Sequence, residues 1–535
     1  MPPTTCPAAD LLVRRLAQSG VRDVFGYPGG QLTPVYDAIH RLGGVCHYLT
    51  RHEQAAAFMA DGYARAGGRP GVCLAVCGPG VYNAATPLAA AHTDSVPVLC
   101  ISGQVPRKGA GLRSGYYHEN DQARAAESFT KKTFRVEDPA ALVATFDEAW
   151  RTLTQGRPGP VLFDVPIDVL RAEVPDVLPS LPPPSQPAAP SSGDVESMAA
   201  LIASWQRPLV LAGGGSAGAS SQLLRLATLL GAPVFHTGNG KGVFPSSHPL
   251  HAGLPWVRAT SDLSGMAGNF SPLFDQADGL LAVGCRFSQL TTGSWSLKVP
   301  ASLAHVDVDP EEIGRHHPVS RALVCDAALG LGALCQAFEG RARRPWAEVP
   351  PRPPWRLPGM DLVRPLRRAL PADGIVCADV NRLAYVLMAD LPLEAPGLFL
   401  HPAGAVAMGY GLPAALGAKV AHPERKVVAV VGDGGFQMCA MELATAVQEG
   451  IGVVVLLVND SCLTLIKNTQ RLRYGERFVA VDLCNPDFGK LSEAFGVAYA
   501  LAESDDALET ALRKAFASEG TSVIEVRPAD ASRRG

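Results

Sequence analysis

Asp433 and Asp460 are the residues through which this chain could do chemistry. Asp433 lies within Gly432-Asp433-Gly434-Gly435, directly after the β-branched run at 427–431, and Asp460 follows Asn459 directly after the apolar run at 453–458. Two hard oxygen side chains beside a glycine-rich turn that opens a helix suit Mg²⁺ carrying a diphosphate. The glycines let backbone N–H groups approach phosphate oxygens, the helix N-terminus favours negative charge, and the carboxylates fill part of an octahedral shell. A strand-to-helix turn with a capping Asp would account for the first motif but leaves Asn459-Asp460 unexplained.

Two apolar runs with a helical segment between them form a βαβ unit, which brings both strand ends to one edge of a parallel sheet and makes Asp433 and Asp460 neighbours. Apolar β-type runs alternate with helical patterns along the whole chain. Proline-rich stretches at 174–190 and 344–358 resist helix and sheet interiors and read as linkers. The expected fold is therefore α/β, with three open, doubly wound parallel-sheet domains at 1–173, 196–343 and 359–535, joined by linkers at 174–195 and 344–358.

A chain of 535 residues is too long for one core. Its 47% hydrophobic and 18% charged residues, with net charge −3, describe a globular protein without the basic excess that a nucleic-acid partner requires. No stretch approaches 18 apolar residues, and the start has no basic region leading into an apolar core, so the expectation is a cytoplasmic enzyme with no membrane partner. The 12 cysteines are scattered without a CxxC pair and read as reduced, buried small hydrophobes.

Several further stretches carry a resemblance. They are FGYPGG at 25–30, RHE at 51–53, Gly78-Pro79-Gly80, YHEND at 117–121, GRPGPVLFDVPIDVL at 156–170 and HPAGAVAMGYG at 401–411. With the GDG and ND motifs, these make the chain resemble the thiamine diphosphate enzymes related to acetolactate synthase, over essentially its whole length. The resemblance implies pyrimidine-binding, central and diphosphate-binding domains in that order. It implies Asp433, Asp460 and the main-chain carbonyl of Cys462 as Mg²⁺ ligands, with Gly432, Gly434 and Gly435 at the diphosphate. Asp460 stands where the family commonly has Asn, which adds charge without removing an oxygen ligand.

The same resemblance makes Glu53 the carboxyl that hydrogen-bonds the aminopyrimidine ring. The cofactor's own imino group deprotonates its reactive carbon, and it is generated only when the ring nitrogen opposite is protonated; a buried carboxyl shares that proton. Taken alone, Glu53 also reads as a helix-dipole partner. Met408 is implied as the apolar wedge that bends the cofactor, and the residues before it, Gly404 and Val406, as the loop that accepts from its amino group. Gly78 and Leu465 complete the implied cofactor contacts.

For the substrate, the resemblance implies a pocket at Gly29, Tyr117, His118, Ile466 and Thr469, with His118 as a catalytic hydrogen-bond donor or proton shuttle; a solvated loop histidine is the alternative. Pyruvate decarboxylase-type relatives carry Glu where this chain has Ile466, so an apolar residue favours passing the acyl carbanion to a second carbonyl. Acetolactate synthases carry Trp where this chain has Thr469 and Lys where it has Ile167, which leaves the acceptor open.

The central block has Gly213-Gly214-Gly215 after a β-type run, and Arg286 and Asp307 fit family positions near a flavin. LHAGLPWV at 250–257 departs from the family pattern, so FAD binding and a purely structural domain both stand. The function expected is decarboxylation of a 2-oxo acid with carboligation, acetolactate synthase-like, dependent on thiamine diphosphate and Mg²⁺. The alternatives are a 2-oxo acid decarboxylase or 2-hydroxyacyl lyase and, from another class, a flavin or nicotinamide oxidoreductase using the central block. The resemblance also implies a homodimer or homotetramer, since Glu53 and the GDG loop meet across a subunit interface in the family, and it leaves room for a small regulatory subunit.

Overall fold

The computed structural model describes residues 4–183, 186–256, 269–351 and 360–528. Residues 352–358 of the second proline-rich linker, residues 184 and 185 of the first, and Val257 lie outside them. Strand β1 (Thr5–Pro7) opens the chain, followed by β2 (Asp23–Gly26), β3 (Cys46–Leu49), β4 (Gly71–Ala75), β5 (Val98–Gln104), β6 (Lys132–Arg135), β7 (Val161–Pro166) and β8 (Glu173–Pro175). The central strands are β9 (Pro208–Ala212), β10 (Val234–His236), β11 (His251–Gly253), β12 (Gly279–Val283), β13 (Leu303–Asp307) and β14 (Arg321–Val324). The C-terminal ones are β15 (Ile375–Ala378), β16 (Phe399–Leu400), β17 (Val427–Gly432), β18 (Val454–Val458), β19 (Ala498–Ala502) and β20 (Ser522–Val526).

They form three six-stranded parallel sheets, ordered β3-β2-β4-β5-β7-β6, β11-β10-β9-β12-β13-β14 and β16-β15-β17-β18-β20-β19. Helices cover both faces, so the inner strands are apolar without alternation: β4, β9 and β18 are buried at every residue. Strands β1 and β8 pair antiparallel and clasp the ends of the first domain, with Cys6 opposite Val174. The first and third sheets share one connection order, whereas the central sheet has the doubly wound order typical of dinucleotide-binding domains.

The N- and C-terminal domains are packed as one unit. Their common core runs from Phe25 and Ala56–Ala60 to Leu412 and Val427–Val431, while the central domain keeps its own apolar clusters on the two faces of its sheet. The contact is made by the helix Glu53–Gly67 against the helix Gly411–Ala421. Small residues let the backbones approach: a Cβ on Gly417 would stand 1.9 Å from the Met59 carbonyl oxygen, and one on Gly62 would stand 2.2 Å from that of Ala414.

One sequence expectation needs refinement. The segment between β17 and β18 is two short helices, Asp433–Gln437 and Glu442–Gln448, rather than one. Glycines at 434 and 435 weaken the first turn, and in the break the Cys439 thiol reaches the Gly435 carbonyl while Met438 and Met441 face outward. Among the described residues no helix is long and apolar enough to cross a membrane.

Candidate active site

The C-terminal edge of the third sheet carries one cluster. Strands β17 and β18 are hydrogen-bonded in parallel with Gly432 opposite Val458, so Asp433 and Asp460 leave the sheet side by side. Asp433 is 3% exposed, and burial, reinforced by the Asp460 charge, holds its carboxyl above the ordinary carboxylate range. Asn485 donates its amide to Asp433 Oδ2 at 2.7 Å and to Asn459 Oδ1 at 2.9 Å. The Thr464 hydroxyl donates to Asp460, and Ser461, in the left-handed region at φ 54°, turns the chain toward the buried Cys462. No group of three His, Cys, Asp or Glu side chains gathers among the described residues, so a metal held by Asp433 and Asp460 also needs main-chain or phosphate oxygens.

A Cβ on Gly434 would meet Leu463 Cδ2 at 3.0 Å and Met408 Cε at 3.3 Å, so the methionine lies over the glycine turn. The loop bearing Met408 is fixed from the N-terminal domain. Asp94 accepts from Ala403 N–H and the Thr93 hydroxyl accepts from Ala405 N–H, at 2.9 and 2.8 Å, and position 404 admits only glycine, since a Cβ there would sit 2.6 Å from Thr93 Oγ1. Asp94 also accepts from Asn239 of the central domain and from Arg65, so one carboxylate ties together all three domains. Beneath the loop, the fully buried Asp379 accepts from Val380, Gly409 and Gly411 N–H at 2.6, 3.2 and 2.9 Å, and burial raises its carboxyl to about 6. Val406 is exposed and Met408 half-buried. The helix Thr464–Arg473 carries Leu465, half-buried, and Ile466, 54% exposed; the Thr469 hydroxyl donates to its own helix at the Leu465 carbonyl, 3.1 Å.

The second cluster lies at the C-terminal edge of the first sheet. Glu53 opens its helix, 7% exposed, with His52 as the cap accepting from Gln54 N–H. Asn83 donates to Glu53 Oε2 at 3.0 Å, and a Cβ on Gly80 would stand 3.0 Å from Oε1. Gly78, at φ 69°, passes so close to the His118 carbonyl that a Cβ would stand 2.9 Å from it. Gly29 rests on the strand end leading into this turn, where a Cβ would meet Val76 Cγ2 at 2.3 Å. Glu53, Gly78, Gly29 and His118 thus share one rim.

A buried polar network supports this rim. Gln122 accepts from Gly78 N–H at 2.7 Å and donates to Asp164 at 2.6 Å, and Asp164 also accepts from Ser102 and Arg135. The Cys77 thiol lies 3.0 Å from the His118 carbonyl oxygen and 2.9 Å from Gln104 Oε1, sharing its one proton between them. Glu119 accepts from Ser114 and Tyr116 N–H and folds the loop so that His118 adopts φ 66°. His118 Nδ1 is buried with no hydrogen-bond partner among the described residues, and its ring stacks on Tyr117, 80% exposed, at 3.9 Å.

A third recess of about 530 Å³ opens where the central sheet reverses direction, between β9 and β12, and extends to the other two domains. Gly214, Gly215, Arg286 and Asp307 line it. Arg157, from the N-terminal domain, reaches Glu312 there at 3.1 Å, and burial together with the Arg286 charge depresses its guanidinium. Burial raises the Asp307 carboxyl. Its place at the switch point, floored by glycine turns and flanked by arginines, is where doubly wound sheets generally bind their ligands.

Within the chain no hydrogen bond or ion pair joins Glu53 to Asp433 among the described residues, although a Cβ on Gly409 would stand 3.3 Å from the Gln54 amide nitrogen and 3.9 Å from the Gly435 carbonyl oxygen, which places neighbours of both clusters against one loop. Reading the sequence missed Asn83, Asn485 and the Gln104, Gln122 and Asp164 network. Asn83 lies one turn into the helix Pro79–Asp94, and Asn485 comes from a loop far along the chain; neither belongs to a local motif. Asp379 follows the apolar run of β15, but nothing in its local sequence marks the loop at Gly409 and Gly411 that it holds.

Comparison with known proteins adds to this geometry. The chain matches the thiamine pyrophosphate enzyme N-terminal TPP binding domain over residues 7–126, the central domain over 195–334 and the C-terminal TPP binding domain over 384–526. It is 36% identical to a probable acetolactate synthase large subunit of Methanocaldococcus jannaschii, covering 97% of this chain and 91% of that protein. It is also 36% identical to the acetolactate synthase large subunit of Corynebacterium glutamicum, over 96% and 85% respectively. A probable 2-ketoarginine decarboxylase of Pseudomonas aeruginosa is similar at 36%, over 99% and 95%.

Proposed function

The chain belongs to the thiamine pyrophosphate enzymes, and from that premise we propose that it decarboxylates a 2-oxo acid and joins the resulting acyl unit to a second carbonyl, as an acetolactate synthase-like carboligase. The observation that carries the carboligase reading is Ile466. An apolar, exposed side chain stands beside the metal loop, where a carboxylic acid would protonate the acyl unit and release it as an aldehyde.

The proposed binding groups follow the two clusters. Asp433, Asp460 and the Cys462 carbonyl would hold Mg²⁺, with the turn at Gly432–Gly435 against the diphosphate; two adjacent carboxylates in a glycine-lined recess fit that load. Met408, poised over Gly434, would support the cofactor between its rings, with the backbone at Gly404 and Val406 facing the amino group. When bound, thiamine diphosphate would supply a ring carbon that becomes nucleophilic on losing its proton and a cationic ring that serves as the sink for the electrons left on loss of CO₂. Glu53 holds a proton at the pyrimidine ring, oriented by Asn83. His118, with Gly29 and Tyr117 on the same rim, donates a hydrogen bond to the substrate from the outward side of its ring. Ile466 and Thr469 bound the acceptor side, and Leu465 packs beneath.

A homodimer or a dimer of dimers in the cytoplasm is the proposed assembly, with Glu53 of one copy facing the glycine turn of the other. The recess between β9 and β12 is proposed to take FAD, for which Arg286 and Asp307 are suited. A small regulatory subunit, as the large-subunit names of relatives suggest, would bind elsewhere. A second reading, a 2-oxo acid decarboxylase, is favoured by the match to the decarboxylase relative over nearly the whole chain.

Product analysis decides between them. The purified protein is incubated with thiamine diphosphate, Mg²⁺ and pyruvate, or with larger 2-oxo acids, with and without an added aldehyde. Acetolactate as the main product from pyruvate supports carboligation. Aldehyde alone, or consumption only of a larger 2-oxo acid, overturns it in favour of the decarboxylase. A flavin absorption band released on denaturing the purified protein checks the FAD assignment.

A further inference from the structure

The residues leading into Glu53 are held by the C-terminal domain of the same chain. The helix Glu442–Gln448 begins shortly after the metal-loop turn and turns Glu442, Thr445, Gln448 and the following Glu449 toward residues 49–52, the spacing of one helical face. Arg51 N–H donates to both oxygens of Glu442, at 3.0 and 3.2 Å. The Thr445 hydroxyl donates to Glu442 Oε2 at 2.6 Å and lies 3.2 Å from the Leu49 carbonyl. Leu49 N–H donates to Glu449 at 3.1 Å, and the Arg51 guanidinium donates to Gln448 at 2.7 Å. Glu442 is 1% exposed and forms no ion pair among the described residues. Burying this carboxyl is costly, and the Arg51 charge, the Thr445 hydroxyl and the Arg51 backbone N–H offset that cost only in part, since burial still raises it to about 7.

We propose that Glu442 is a positioning residue for Glu53: by accepting from the backbone just before it, Glu442 sets the first turn of the Glu53 helix and so the place of the Glu53 carboxyl against the turn at Gly78–Gly80. Because Asp433 and Glu442 lie on one short segment, the segment that would grip the metal also aims the proton-holding glutamate of the same chain. This rests on the reading of Glu53 as the group facing the aminopyrimidine.

The test compares Glu442→Ala, Glu442→Gln and Glu53→Gln in the holoenzyme. Three quantities are read: the affinity for thiamine diphosphate with Mg²⁺, the rate at which the cofactor's acidic ring proton exchanges with deuterium without substrate, and the melting temperature. Glu442→Ala is expected to bind the cofactor within about threefold of the parent but to exchange at least about tenfold more slowly, because small misplacements of a catalytic group are costly. Glu442→Gln, whose amide oxygen still accepts from Arg51 N–H, is expected to restore exchange to within about threefold. A purely structural Glu442 would lower the melting temperature and leave exchange in the folded protein unchanged. Parental exchange in Glu442→Ala with blocked exchange in Glu53→Gln overturns the inference alone. Parental exchange in Glu53→Gln overturns the reading of Glu53 and the inference with it. If Glu442→Ala is not soluble, Thr445→Val, which removes the hydroxyl orienting the carboxyl, carries the same test: slower exchange supports the inference and a parental rate overturns it.

Discussion

Asp379→Asn exchanges a buried carboxyl for an amide of the same shape under the loop that carries Met408. Asp379 has no exposed surface, and its carboxyl is raised from 3.8 to about 6, chiefly by burial, even though it accepts from backbone N–H groups of Val380, Gly409 and Gly411. Desolvation therefore outweighs the hydrogen bonds. An acid raised in the folded state binds its proton more tightly there than in the unfolded chain. Its stabilising contribution is full below 3.8 and is lost as pH rises through about 6. A shift of roughly two pK units corresponds to about 3 kcal/mol. The uncharged Asn does not titrate, so the stability of the variant relative to the parent should improve by about 2.4 kcal/mol between pH 4 and pH 7. Against this, the amide NH₂ faces backbone donors that the carboxylate satisfied, a loss of about 1–3 kcal/mol that does not depend on pH.

Calorimetric melting of both proteins across that pH range checks the prediction. At roughly 1.4 °C per kcal/mol for a unit of about 350 residues, the difference in melting temperature should swing by about 3 °C toward the variant as pH rises. A flat difference would show that the carboxyl is not raised, and a swing of opposite sign would show that the hydrogen bonds outweigh burial.

Two further outcomes test the assembly of the site. Glu53→Gln should keep the fold and bind cofactor within a few-fold while losing about 10²–10⁴ in turnover, as expected for a removed acid–base group; near-normal kcat would end its proton-holding role. Gly417→Ala should lower stability by roughly 1–3 kcal/mol or more through overpacking, since its Cβ would stand 1.9 Å from the Met59 carbonyl oxygen. An unchanged melting temperature would mean that the helix contact between the N- and C-terminal domains can slide without cost.

The sequence by itself determined the features that local rules control. Buried parallel strands must be continuous apolar runs, so β17 and β18 were readable along with the two acids at their ends, and glycine turns announced themselves at Gly78 and Gly434 because backbone approach excludes a side chain there. Glu53 was readable because it opens a helix behind a recognisable RHE. The break between Asp433–Gln437 and Glu442–Gln448 was not, since helical periodicity continues across it while packing decides the turn. Only the tertiary structure could bring Asn485 onto Asp433, Asp94 onto the Met408 loop, or Glu442 onto Arg51. Each of these pairs joins residues distant in the chain through a buried polar group. A buried donor or acceptor needs a partner, but nothing in its own neighbourhood says which, because the partner is fixed by how the domains close on one another.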